Sequence, residues 1–136
     1  METIRIKYLG ELRTQAEHLK SGEKIITDAP TDNQGKGEAF SPTDLMSSSL
    51  GSCMMTLMGI AANTHEIPFE KVGCQITKIM DSNPRRVKEI VIKFDMGDHY
   101  YSEKQKTILI RAAETCPVAL SLHPDLKQTV SFQFAE

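Results

Sequence analysis

The order of hydrophobic patterns in this chain of 136 residues predicts an α+β fold with mainly antiparallel pairing. Three observations carry that reading. Period-two alternation of apolar and polar residues recurs near both ends and in the middle of the chain, as half-buried strands require. One long stretch, opening at Ser41, lacks that alternation and is apolar nearly all round. A second helical pattern with its own start signal follows the middle strands. The element order is therefore strands, long helix, strands, helix, strand.

Ile4, Ile6 and Tyr8 alternate with Thr3, Arg5 and Lys7, which predicts the first strand. Gly10-Glu11 is a turn, and the segment from Leu12 to Leu19 returns antiparallel. Ser21-Gly22 is a second turn before a short strand from Lys24 to Thr27. Residues 29 to 38 are polar and rich in turn formers, so they read as an exposed loop. Ser41-Pro42-Thr43-Asp44 then signals a helix start. Serine accepts from free backbone N–H groups, proline fits the first helical position, and the acid suits the positive end of the helix dipole.

That helix is predicted to run to about Asn63 or His65 and to stop before Pro68, which cannot donate to the helical ladder. Leu45, Met46, Leu50, Met54, Leu57, Met58 and Ile60 leave it little polar surface, so it is expected to be buried on several sides. Its serines and glycines let neighbouring backbone come close. Val72, Cys74 and Ile76 alternate in one strand, and Ile90, Ile92, Phe94 and Met96 in the next, with Asn83-Pro84 as the turn between them. Ser102 can cap a second helix containing Ile108, Leu109, Ala112 and Ala113. Cys116-Pro117 interrupts it and begins another turn or two, to about Ser121. Val130, Phe132 and Phe134 mark the last strand.

The length fits a single domain over residues 1–136. A formal net charge of −2 provides no basic footprint, which argues against a nucleic-acid partner. No apolar run reads as long enough to span a bilayer, so no membrane role is expected. The N-terminal residues lack the basic-then-apolar order of a signal peptide, and the expected compartment is the cytoplasm, where thiols stay reduced. Three cysteines are too few for a disulfide framework. No pattern for a dedicated zinc site occurs, and no cofactor is expected.

The candidate chemistry rests on two cysteines. Cys116, just before a proline at a helix start, faces the positive dipole end, which is expected to lower its pKa. A buried small hydrophobe is an equally good reading of that local pattern. Cys53 lies mid-helix among Leu50, Met54 and Leu57, and burial there would keep it inert unless a cation or donor is brought in. Arg13, which opens the second strand beside a turn, and Arg111, on the helix before Cys116, are the candidate cations. Asp44 is most simply a helix N-terminal acid, with a second possible role in orienting an arginine. Cys74, in an alternating strand, reads as core.

Ser41-Pro42-Thr43-Asp44-Leu45, Leu50-Gly51-Ser52-Cys53, and Cys116-Pro117-Val118 followed by Ser121-Leu122, in this order, resemble the OsmC/Ohr family of osmotically inducible and organic-hydroperoxide-resistance proteins. The resemblance extends to the element order. It implies an OsmC-like fold with antiparallel sheets around a long central helix, in an intertwined homodimer with active sites at the interface. It implies a thiol peroxidase acting on an organic hydroperoxide in oxidative stress defence. Cys53 would attack the peroxide and become a sulfenic acid. Cys116 would resolve it as a disulfide, and a dithiol, dihydrolipoyl groups in the best-known branch, would reduce that. Arg13 would be the activating cation and Asp44 would help to hold it, with no metal, flavin or haem. The chain departs from the peroxidase branches at Thr43, where they carry a glutamate that pairs with the arginine, and so resembles a less characterised branch. A non-catalytic binder of a small hydrophobic ligand and a cysteine-pair redox sensor are the alternative readings.

Overall fold

β1 (Ile4–Gly10), β2 (Arg13–His18) and β3 (Lys24–Asp28) form an antiparallel sheet in that order. They open the computed structural model, which describes all 136 residues. The chain divides into two compact units, Met1–Met46 and Ser47–Glu136.

In the first unit the β1–β2 turn is longer than the predicted Gly10-Glu11 pair. Gly10, Glu11 and Leu12 all take positive φ, at 91°, 54° and 63°. Glycine adopts this region freely, whereas Glu11 and Leu12 hold it against their own sterics. The Leu12 N–H donates to the Tyr8 hydroxyl at 3.1 Å, which closes the turn. The next residue is Arg13. On one face of the sheet Ile6, Ala16 and Ile25 lie in cross-strand register. Ile4, Ile6, Tyr8 and Ile25 are exposed, so the apolar face of this sheet is uncovered in the single chain.

The predicted loop after β3 holds one 3-10 turn, Thr31–Asn33. It folds back on Ala29, and the Gly37 N–H donates to the Ala29 carbonyl at 3.2 Å. A Cβ at Gly35 would fall 1.8 Å from that carbonyl oxygen, so only glycine fits there. This return brings Glu38 back to Asp28.

The long helix is α1 (Pro42–Thr64), within a residue of its predicted limits. Ser41 and Asp44 start it reciprocally. The Asp44 N–H donates to Ser41 Oγ at 3.0 Å, and the Ser41 N–H donates to Asp44 Oδ2 at 3.0 Å. This is a capping box with aspartate in place of glutamate. The buried residues Ser47, Leu50, Gly51, Met54, Met58 and Ala62 form one stripe at helical spacing. Ile60, outside the stripe, is exposed. In the single chain the helix is thus buried on one side, not on several. By length and composition alone its 23 residues are enough to cross a membrane, contrary to the expectation from sequence. Serines and glycines break up its apolar runs and mask that length. The buried stripe is that of a core helix.

In the second unit β4 (Gly73–Ser82), β5 (Arg85–Asp95) and β6 (Lys127–Gln133) form the other sheet in that order. β4 and β5 make the predicted hairpin through Asn83-Pro84. β6 instead pairs parallel to β5, the one parallel seam in a set of otherwise antiparallel pairings. The chain reaches β6 through α2 (Glu103–Glu114) and α3 (Pro117–Ser121), and such a crossover is what parallel neighbours require. Ser102 caps α2 as predicted, in a capping box with Gln105. Leu50, Met58, Ile90, Ile92, Phe94, Met96 and Leu109 are fully buried and form the core of this unit.

Gly51 sets how closely α1 approaches β4. A Cβ at Gly51 would lie 2.6 Å from Ile76 Cδ1 and 3.4 Å from Cys74 Sγ. Cys74 is half-buried on that contact, and burial raises its thiol pKa. It faces α1 but is not part of the buried core, contrary to its reading from sequence.

Candidate active site

The second unit brings Cys53 and Cys116 together. Cys53 lies on α1, two residues beyond the close approach at Gly51, and is half-buried rather than buried. Cys116 is fully buried in the break between α2 and α3. The Thr115 and Cys116 N–H groups still donate to α2 carbonyls, those of Ala112 and Ala113. Pro117 then opens α3 and leaves Cys116 as its N-cap. The Cys116 sulfur accepts the Ala119 N–H at 3.4 Å. The two thiols adjoin closely enough for Cys53 to act on the titration of Cys116.

Burial, chiefly, pushes the Cys116 thiol up, and the adjoining Cys53 thiol adds to the shift. The Ala119 and Val118 N–H groups pull it down but are outweighed. The lowered pKa expected at a helix start is therefore not found. Desolvation of the charged form beats two backbone donors on so short a helix. At neutral pH Cys116 is a protonated thiol beside the Cys53 sulfur. All three cysteines are free.

The first unit presents Arg13. Its register partner across the β2–β3 pair is Asp28. Arg13 donates from Nε to Asp28 Oδ1 at 2.7 Å and from Nη2 to Asp28 Oδ2 at 2.8 Å. Nη2 also reaches Glu38 Oε1 at 3.0 Å. The Asp28 side chain is fully buried, while that of Glu38 is largely exposed. Hydrogen bonding to Arg13 holds the Asp28 carboxyl below its ordinary pKa, against the opposing effect of burial. The same pair raises the pKa of the Arg13 guanidinium further. Beside them Lys36 pairs with Glu11 at 2.6 Å.

Of the sequence-derived candidates, Cys53 and Cys116 meet as a pair. Arg13 is an ion-paired cation, but its acids are Asp28 and Glu38. Asp44, read as its holder, is engaged at the start of α1 with Ser41. The Thr43 hydroxyl lies 3.2 Å from Ser41 Oγ. Arg111 is exposed in the last turn of α2. Sequence reasoning missed Asp28 and Glu38. Counting register outward from the predicted Ser21-Gly22 turn sets Pro30 opposite Arg13, whereas the observed pairing is centred on Lys20-Ser21 and sets Asp28 there. Nothing in the polar loop singles out Glu38. No group of three metal-ligating side chains is present.

The second unit thus holds two adjoining free thiols, one on the long helix and one in the break between α2 and α3, in a two-sheet α+β chain. The family model for OsmC-like protein matches residues 35–131. The structure matches that of a Psychrobacter arcticus 273-4 protein provisionally described as an osmotic stress induced and detoxification response protein. That match has 49% identity, a TM-score of 0.93 and coverage of 98% of this chain and 96% of the other. It also matches the organic hydroperoxide resistance protein OsmC of Legionella pneumophila, at 18% identity, a TM-score of 0.75 and 98% of both chains. An OsmC-like protein of Mycoplasma pneumoniae matches at 19% identity and a TM-score of 0.81, over 98% of this chain and 96% of that one. No curated protein sequence matches. The chain belongs to the OsmC-like family.

Proposed function

We propose that this protein is a thiol-dependent peroxidase that reduces organic hydroperoxides through Cys53 and Cys116. The observation that carries the reading is that a half-buried thiol adjoins a fully buried one, whose pKa burial raises. It divides the labour between them. Cys53, as the thiolate, attacks the outer peroxide oxygen. The O–O bond breaks, the alkoxide leaves and takes a proton to become the alcohol, and Cys53 becomes a sulfenic acid. Cys116 then loses its proton, and its sulfur attacks that of Cys53. The S–S bond forms and the hydroxyl leaves as water. A dithiol of the dihydrolipoyl type reduces the disulfide by exchange and ends as its own disulfide.

Arg13 supplies the activating cation in this reading. Leu57, half-buried one turn along α1 from Cys53, favours an alkyl substrate over hydrogen peroxide. The working form is a homodimer, which the exposed Ile4, Ile6, Tyr8 and Ile25 support as surface in need of cover. The compartment is the reducing cytoplasm, where the spent disulfide can be recycled.

Purified protein is mixed with cumene hydroperoxide and dihydrolipoamide, with hydrogen peroxide as the comparison. Turnover should favour the organic peroxide and vanish in Cys53→Ser. Cys116→Ser should consume peroxide once and stop at the sulfenic acid. Full activity of Cys53→Ser would overturn the reading. A disulfide that forms and is not reduced by the dithiol would make the pair a redox sensor instead.

A further inference from the structure

We propose that Gln128 is a positioning residue for the second step of the cycle, holding α3 and with it the Cys116 sulfur in place for attack on the oxidised Cys53. The inference rests on the peroxidase reading above. In that step the Cys116 sulfur bonds to that of Cys53, and the Cys116 proton joins the leaving hydroxyl as water.

The chain is held unequally on the two sides of Cys116. Before it, the Thr115 and Cys116 N–H groups donate to carbonyls of α2, and α2 is anchored by the buried Leu109 and Ala113. After it comes α3, with five residues and none of them buried. Leu120 is 76% exposed. A single helical turn does not repay its own nucleation, and packing does not supply the difference here. Yet α3 directs the thiol. The Cys116 sulfur accepts the Ala119 N–H at 3.4 Å, and the Cys116 carbonyl accepts the Leu120 N–H at 3.1 Å. Unwinding of α3 breaks both bonds and frees the sulfur to turn away.

Gln128 ties the other end of α3 to the sheet. Its Nε2 donates to the Ala119 carbonyl at 3.0 Å. The last carbonyls of a helix have no acceptor role within it, so this bond fills an open position. Gln128 lies in register with Ile90 and alternates along β6 with Val130 and Phe132, which puts it on the face of the fully buried Ile90, Ile92 and Phe94. An amide on that face costs stability unless its donors are used, and an apolar side chain would serve packing alone. The bond to α3 accounts for the glutamine. One residue joins the two ends: the Ala119 N–H holds the sulfur, and the sheet holds the Ala119 carbonyl.

Stopped-flow mixing with one equivalent of cumene hydroperoxide separates attack by Cys53 from closure of the disulfide, and amide hydrogen exchange reads α3 without any chemistry. Gln128→Met keeps the length of the side chain and drops the donor, and Gln128→Ala drops it with no new atoms to place. Loss of one ordinary hydrogen bond should slow disulfide closure by about two- to tenfold and speed exchange at the Ala119 amide by a similar factor. Attack on the peroxide should keep its wild-type rate, because Cys53 rides on α1, and exchange within α1 should not change. Gln128→Lys returns a donor to the same carbonyl and should bring both readouts back toward wild type. Closure and Ala119 exchange unchanged in the Met and Ala variants, or both chemical steps slowed alike, overturns the inference and leaves the peroxidase standing. A wild type that forms no disulfide with the peroxide overturns both.

Discussion

Gly51→Ala tests whether α1 and β4 are as close as the geometry says. Alanine in place of glycine within a helix is worth about 1 kcal/mol of stability by propensity alone. Here the new methyl would lie 2.6 Å from Ile76 Cδ1. Ordinary carbon–carbon contact is at about 3.5–4.0 Å. Ile76 must leave its rotamer or the helix must back away, at a cost of about 1–3 kcal/mol. The two effects oppose, and because Cδ1 is the free end of a half-buried side chain the clash costs only the low end of that range, leaving a net change near zero. Ile76→Val removes the offending Cδ1 and little else. The next neighbours of the methyl are then Cys74 Sγ at 3.4 Å and the Cγ1 of residue 76 at 3.5 Å, both tolerable. In that background Gly51→Ala should stabilise by nearly its full propensity. Urea denaturation of the four proteins closes a double-mutant cycle with an expected coupling of about 1 kcal/mol. Additivity within about 0.5 kcal/mol would refute the close approach.

Two titrations and one substitution give the remaining predictions. Burial raises both Cys74 and Cys116, so the folded protein keeps protons that the unfolded chain loses above about pH 8.5. Stability from this source is complete below that pH and drains as pH rises through the folded values. A urea midpoint that stays flat from pH 7 to 10 would count against it. Asp28 runs the other way, because its folded pKa is depressed by Arg13. Its stabilisation is present above about pH 4 and is lost as pH falls through the folded value. Asp28→Asn should flatten that acid limb in a pH series of denaturation curves. Leu50→Ala, at a fully buried position, should destabilise by about 3–4 kcal/mol, read as a lower urea midpoint.

The elements were legible wherever a local rule decided them. The Ser41 and Ser102 starts, the stop before Pro68 and the break at Cys116-Pro117 all depend on neighbours within a few residues. The direction of β6 was not legible, because strand alternation has no sense of parallel or antiparallel. The one-sided burial of α1 was hidden as well, since its composition is apolar nearly all round. At the site the cysteine pair could be read from its motifs. The protonated state of Cys116 could not, because it depends on desolvation by residues distant in sequence. Asp28 was not legible either, because the β2–β3 pairing is centred a residue earlier than the predicted Ser21-Gly22 turn. Glu38 was not, because a loop that returns through Gly35 and Gly37 leaves no periodic trace.

The parallel seam between β5 and β6 also bears on the order of assembly. The β4–β5 hairpin closes locally and can form early. β6 can join only after the chain has passed through α2 and α3, and such non-local pairing is slow. Cys116 rides on that late connection. While the hairpin and α1 are already taking shape, the second thiol still has no fixed place. The two thiols can therefore meet only once α2 and α3 have packed beside α1, and until then the chain carries two separate cysteines.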